Sequence, residues 1–516
     1  MLRFNHILKF YLAVYIVSFS CNRSADKISI VLQHAGKKRP ELEKVIAHFK
    51  QSSDPLKLKA AYYLIENLPA QYHYEGKTVD EFERLFTSID SAVSAGQDFD
   101  LSHTGDSLTN KIATIDPTLL KKVSDLDEIT ADFLIKNIEE AFEAWQYPWA
   151  RNLSFEEFCE LILPYKVKDE KAGNWRSYFR EKYKWVLDSV KDKNNSLEAC
   201  LLINNDLKKW FYFTKIDFPF DPSFDDLLKL RSGRCPEQIQ ITTYAMRAMG
   251  IPVTYDYVTS WANRNNAHDW NGLLYQDKVI PFIGTESDPG IYKIEFSAPG
   301  AVKSKRAKVF RRTYATVPTD LEKKFTLQEI PPMFRENRFS DVTKQYIPVS
   351  DIALSINPEY SDFGVAYLCV FNNLTWKPVQ WSFVRNETVS FTGMGRGIIY
   401  LPVVYEENDY TPCGMPFVLK KDGSMSHIKA NPAKRTSITI DRKYPVGDDN
   451  KIEKGNNYEL FYWDNNKWIS LGRQQAMEEF LIYRNIPEGA LCWLRDLDKG
   501  LQERIFTIEN NKIVWW

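Results

Sequence analysis

The chain has 516 residues, which at roughly 150 residues per domain suggests about three domains rather than one large core. Lys plus Arg total 67 against 68 Asp plus Glu, a formal net charge of -1, so no basic field exists to attract nucleic acid. Hydrophobic residues at 44% and charged residues at 26% exclude wholesale disorder and a protein of many membrane spans. Aromatics are in surplus, with 14 Trp, 27 Tyr and 31 Phe, and either the architecture or a ligand has to use them.

Arg3 and Lys9 flank an apolar stretch that runs on from Tyr11 to Ser20, the layout of a secretory signal peptide over residues 1–20. The run is shorter than the roughly 20 residues of a membrane-spanning helix. Ser20 directly before Cys21 resembles the lipobox of bacterial lipoproteins, which implies lipidation at Cys21 and an exported chain anchored to a membrane by its N-terminal lipid.

From Arg39 to about Asn67 apolar residues fall at helical spacing, with Leu42, Val45, Ile46 and Phe49 on one face and Asp54-Pro55 opening a second helix. Leu134, Ile138, Ala141 and Trp145 keep the same period, and Ser154 to Glu157 reads as a capping box. The first 230 or so residues are thus mostly α. After about Val253 the pattern changes to short runs broken by Asn, Asp, Gly and Pro. Asp464 to Lys467 and Asn510-Asn511 read as hairpin turns, and a break near Gly447 to Asn450 divides the all-β part into two small sandwiches. Packing of these sandwiches is the favoured use of Trp376, Trp381, Trp463, Trp468, Trp515 and Trp516, with stacking on sugar rings as the rival.

The cysteines at 159, 200, 235, 369, 413 and 492 form no C-x-x-C pair, and the histidines at 6, 34, 48, 73, 103, 268 and 427 are dispersed. Neither a disulfide framework nor a metal site is indicated, and no cofactor is expected. One cysteine stands apart. Gly233-Arg234-Cys235-Pro236 precedes a helical run that Gly250-Ile251-Pro252 stops, so Cys235 sits at a helix N-terminus, where unpaired N–H groups and the helix dipole favour a thiolate. The strand of Val253, Tyr255 and Tyr257 and a polar loop from Ser260 to Ala267 then lead to His268 at the start of a second strand, 33 residues after Cys235. Nucleophile at a helix start and base at a strand start is the order that a cysteine triad needs. A two-residue turn at Gln276-Asp277 pairs Tyr275 with Lys278 and sets His268 opposite Thr285, or opposite Ser287 after a further shift. Either register brings Glu286 close to the imidazole.

The stretch from Asp226-Leu227-Leu228 through Gly233-Arg234-Cys235, Met246-Arg247-Ala248-Met249-Gly250-Ile251-Pro252, His268-Asp269-Trp270 and Ile280-Pro281-Phe282 resembles the transglutaminase-like superfamily, which shares the papain-like Cys-His-Asp arrangement. In that family an aspartate follows the Pro-Phe pair and a Trp starts that strand; this chain has Ile283 and Val279 there. The resemblance covers roughly residues 175 to 300. It implies Cys235 as nucleophile, His268 as the group that holds the thiolate and protonates the leaving amine, and Glu286, or else Asp288, as the orienting carboxylate. Trp261 and Trp270 are expected to wall the substrate cleft, with packing against the helix as the alternative. The whole chain also resembles large exported multidomain lipoproteins of gut Bacteroidetes.

The expected fold is α+β: a helical region over 21–125, a transglutaminase-like domain with a helical lead-in over 126–345, a β-sandwich over 346–447 and a small β domain over 448–516. The expected function is an enzyme of the cell surface, periplasm or outer membrane that hydrolyses or transfers amide groups of a protein or peptide through a thioester on Cys235. The alternative is an inactive form of the fold that binds glycans or proteins.

Overall fold

A computed structural model describes residues 26–95, 111–291, 303–500 and 502–516. Residues 1–20 and Cys21, and with them the expected signal peptide and lipid site, lie outside the described residues. The structure is 33% helical and 31% strand, with its sheets mostly in the C-terminal half, which is a mixed helix and strand class. No helix among the described residues is long and apolar enough to cross a membrane. The chain divides into two compact units that interleave along it. One comprises the described residues up to 255, 270–291 and 312–316; the other comprises 256–269, 303–311 and the described residues from 317 onward.

In the first unit, helices α1 (Arg39–Lys50) and α2 (Pro55–Asn67) each carry proline in the first turn, and the Asp54 carboxylate caps α2 by accepting from Leu56 N–H. Strand β1 (Tyr72–Glu75) leads into α3 (Lys77–Ser94) and pairs antiparallel with β2 (Lys121–Ser124). Helices α4 (Ala131–Trp145) and α5 (Phe155–Leu161) follow, α5 opened by a Ser154/Glu157 capping box. Leu42, Val45, Leu64, Leu134, Ile138 and Phe158 of these helices belong to one buried cluster, so the apolar faces close on each other. The first unit continues with α6 (Trp175–Tyr183), α7 (Ser196–Leu207), α8 (Phe224–Leu230) and α9 (Cys235–Ala248).

Helix α9 is buried on nearly every side, its polar Glu237, Gln238, Gln240 and Arg247 included. Trp175 of α6 stacks on Tyr244 of α9, with ring centroids 4.8 Å apart, and its indole N–H donates to Tyr165 O at 2.7 Å. Gly250 ends the helix at φ 65°, and a Cβ there would lie 2.3 Å from Ala144 O, so only glycine fits.

Strand β3 (Val253–Val258) and strand β4 (His268–Tyr275) each run from one unit into the other along the chain; β5 (Lys278–Phe282) lies in the first. Within the first unit β4 lies between β5 and the early part of β3. In the second unit Asp256 and Tyr257 of β3 pair with Arg311 and Phe310 of β6 (Phe310–Arg312), which neighbours β7 (Phe339–Asp341).

The remaining second unit is antiparallel β. Strand β8 (Val349–Ser355) pairs with β11 (Thr388–Gly395); β9 (Val365–Asn372) lies between β10 (Thr375–Phe383) and β12 (Ile398–Glu406). Strand β12 also pairs with β13 (Asp409–Pro412) and β14 (Phe417–Leu419), and β14 with β15 (Met425–His427). Farther along, β16 (Asn431–Ile440) pairs with β19 (Leu481–Glu488). The last sheet has the order β18 (Lys467–Gln475), β17 (Asn457–Asp464), β20 (Cys492–Asp496), β21 (Ile505–Glu509), β22 (Lys512–Trp515). The two expected hairpins form, with Asn465 and Asn466 at φ 47° and 61°, and Asn510 and Asn511 at 50° and 58°. Positive φ at both central residues is what a type I′ turn requires, and its twist matches that of the strands.

The aromatic surplus is spent largely on packing. Trp376, Trp463, Trp468 and Trp493 interlock around Phe371 with centroid separations of 5.0 to 6.2 Å. They join Tyr367, Leu401 and Ile505 in a cluster fed from both sides of the Gly447 break.

Candidate active site

Cys235 is the first residue of α9 and is half-buried, whereas the other described cysteines, at 159, 200, 369, 413 and 492, are buried. Its position is set by backbone pairing on either side. Tyr212 and Phe213 pair in parallel with Ser232 and Gly233, and the Arg234 N–H then donates to Glu237 Oε2 at 2.8 Å to start the helix. A Cβ at Gly233 would lie 2.2 Å from the Glu237 Cβ, so the chain can fold tightly onto the helix start only with glycine there. Glu237 is 4% exposed, and burial pushes its carboxyl up to about 7, against the lowering influence of Lys168.

One turn along α9, Gln238 faces the segment after β5. Its Nε2 donates to Thr285 Oγ1 at 2.8 Å, and its side chain lies close enough to Glu286 to influence that carboxyl. Burial raises the Glu286 carboxyl above its ordinary range while Gln238 lowers it. The ladder between β4 and β5 has the expected register, Tyr275 opposite Lys278, but it stops at Asn271 opposite Phe282. Its expected extension to place His268 opposite Thr285 or Ser287 is therefore not made. Thr285 turns to φ 67°, and its N–H is taken by Asn204 Oδ1 of α7 at 2.8 Å, so the backbone leaves the strand path. Asp288, the alternative carboxylate, is held by Lys208 Nζ at 2.6 Å and Asn204 Nδ2 at 2.8 Å. Ile283, at the place of the family's aspartate, is 1% exposed.

In the second unit His268 opens β4 and is 6% exposed, stacked on Trp261 with ring centroids 5.8 Å apart at 28°. The loop that delivers it is pinned by Asn372 of β9, whose Nδ2 donates to the carbonyls of Trp261, Arg264 and Asn266 at 2.9, 2.9 and 3.0 Å. Burial pushes the His268 imidazole down to about 4, and the Arg264 charge adds to the effect, so the ring is neutral near pH 7. Trp261 is 2% and Trp270 0% exposed, so neither ring presents an open face to solvent. Of the residues singled out from sequence, Cys235, Trp270, Glu286 and Asp288 belong to the first unit, and Trp261 and His268 to the second. Gln238 was legible as the position three beyond Cys235 on one helical face; Asn372 carries no signal over a separation of more than 100 residues.

The neutral His268 makes a pH prediction. Between pH 4 and 6.5 an unfolded chain takes up a proton on this residue that the folded chain does not, so acidification through that window withdraws stability. The lowering to about 4 corresponds to a loss of about 3 kcal/mol once both states are below their pKa values. Urea unfolding of the wild type and His268→Gln at pH 7 and pH 4 should show the wild type losing more, and equal losses would overturn the assignment. The difference between the two proteins isolates His268 from Glu237, whose raised carboxyl has the opposite pH dependence.

No family model matches the chain, and no curated protein matches it. Among solved structures it is similar to one described as a candidate cysteine protease from Cytophaga hutchinsonii, with 17% identity over 22% of this chain and 39% of that one. The TM-score is 0.18, and a likeness this slight carries no inference about fold or reaction.

Proposed function

We propose that the chain is a cysteine-dependent enzyme of transglutaminase-like type that hydrolyses or transfers amide groups of proteins or peptides. The observation that carries this reading is Cys235, half-buried at the first position of a 14-residue helix while the other described cysteines are sealed in cores. A helix N-terminus stabilises a thiolate there, and the backbone dipoles at such a terminus suit the oxyanion of a tetrahedral adduct.

In this mechanism the Cys235 sulfur attacks the carboxamide or peptide carbonyl, and its proton passes to a general base, the part that the family resemblance implies for His268. The adduct collapses as the C–N bond breaks, and that base returns the proton to the leaving amine. Water or an amine then attacks the thioester, giving the acid or a new amide and regenerating the thiol. A neutral imidazole fits the general-base form of this step rather than the preformed ion pair expected from the family pattern. Export and lipid attachment at Cys21, with an outer-membrane or periplasmic place, belong to the same reading and rest on residues 1–21 alone.

A second reading, a binding protein for glycans or proteins on an inactive form of the fold, is favoured by Ile283 at the aspartate place and by the Glu286 carboxyl engaging Gln238. Alkylation separates the two. Iodoacetamide at neutral pH should modify Cys235 at least about tenfold faster than the buried cysteines. Burial pushes Cys413 and Cys492 up to about 12 and raises the other three as well. His268→Ala should slow the reaction. Slow modification of all cysteines at one rate would sink the enzyme reading and leave the binding one.

A further inference from the structure

Away from Cys235, the first unit brings together three residues that sequence spacing keeps apart. His73 and Glu75 lie at the end of β1, and Glu128 follows the short helical turn 125–127 after β2. His73 is almost wholly buried, with side-chain exposure of 3%, while Glu75 and Glu128 are at 37% and 41%. The His73 Nε2 lies 3.4 Å from Glu75 Oε1 and 3.5 Å from Glu128 Oε2, and one ligand atom from each of the three residues falls within 4.8 Å of the others. Bonds of about 2.0–2.1 Å to a tetrahedral cation separate neighbouring donor atoms by about 3.3 Å, close to the two spacings found.

A carboxylate also stands behind the imidazole. Asp125 Oδ1 sits 3.2 Å from the other ring nitrogen, Nδ1, and Asp125 is a carboxylate held below its ordinary range; burial alone would raise it, but bonds from His73, Lys166 and Tyr165 prevail. Asp125 therefore accepts from Nδ1–H, and the other ring nitrogen, Nε2, faces two carboxylates. Two carboxylates gathered at one buried imidazole attract positive charge. Lys171 Nζ supplies some, 2.5 Å from Glu75 Oε1 and 3.9 Å from Glu128 Oε2, on a side chain that is 52% exposed. A cavity of about 180 Å3 lined by His73, Glu128, Thr130 and Lys171 adjoins the group.

We propose that His73, Glu75 and Glu128 bind a divalent transition cation of zinc type, with Asp125 orienting the imidazole and Lys171 competing with the cation for the two carboxylates. A carboxylate behind a ligating histidine fixes its tautomer and raises its basicity, which is what Asp125 does here. The half-exposed glutamates close on the metal by side-chain rotation, whereas the buried imidazole is already set. A bound cation ties β1 to the 125–128 segment and stabilises the helical unit.

The test uses the full chain, stripped with chelator and titrated with zinc chloride by calorimetry, with Tm followed in parallel. One zinc ion should bind and raise Tm, and binding should persist in Cys235→Ser, which removes the thiol as a rival ligand. Glu128→Gln should weaken binding at least about tenfold. Lys171→Ala should strengthen it several-fold, an outcome that a merely structural lysine would not produce. His73→Gln is a supporting variant only, because the ring is buried; Glu128 and Lys171 are half-exposed, so their substitution leaves the fold intact. Absence of binding, zinc lost with Cys235→Ser, or affinity unmoved by Glu128→Gln would each overturn the site.

Discussion

Cys235→Ala is expected to lower amide turnover by at least about a thousandfold, roughly 4 kcal/mol of transition-state stabilisation, with no comparable change in folding stability. In the proposed mechanism the sulfur bonds to the acyl carbon, and alanine offers no substitute, so no thioester would form and hydroxylamine would have nothing to trap. The fold should tolerate the change, because Cys235 is half-buried at a helix start and α9 is held by Trp175, Gln238 and Gly250 rather than by that side chain. The measurement is ammonia or amine release from a glutamine-bearing peptide, with and without an amine acceptor, alongside a urea unfolding curve. A variant as active as the wild type would refute thioester chemistry at Cys235. A wild type with no turnover beyond the alanine variant would leave the binding reading.

Asp125→Ala should destabilise the chain by about 3–5 kcal/mol, a large part of the stability of an ordinary domain. Asp125 is 2% exposed and serves three donors: His73 Nδ1, Tyr165 Oη at 2.7 Å and Lys166 Nζ at 2.8 Å. Lys166 is the costly one. Its side chain is 1% exposed, and without Asp125 its ammonium keeps, among the described residues, only the Tyr72 carbonyl at 2.8 Å. A buried charge stripped of its partner pays desolvation without compensation. Urea denaturation should show a lower midpoint at unchanged slope. Adding Lys166→Met to Asp125→Ala should recover much of the loss, since removing both charges removes the uncompensated one. A single variant within about 1 kcal/mol of the wild type would refute the argument.

The parts of this molecule legible in the sequence are those whose causes lie within a few residues. Helix α9 begins at Cys235 and ends before Gly250 because a proline, a carboxylate three positions after the capping Arg234 and a left-handed glycine each act over one turn. Asn465-Asn466 and Asn510-Asn511 make their hairpins because asparagine tolerates positive φ. The Tyr275–Lys278 register follows from the same turn chemistry, with Gln276 and Asp277 at φ 51° and 58°.

Where the β4–β5 ladder stops was decided by Asn204, some 80 residues upstream, which takes the Thr285 N–H and turns Glu286 toward Gln238. Asn372 likewise holds the His268 loop from another strand. His73 and Glu128 gave no sign of each other in a chain with no paired histidines, because their meeting depends on how β1 and the turn after β2 fold together. By itself the sequence determined the local elements, the hairpins and the position of Cys235 at a helix start. Only the tertiary structure decided what faces Glu286, the charge state of His268 and the acceptor cluster at His73, since long-range packing and desolvation have no local period to read.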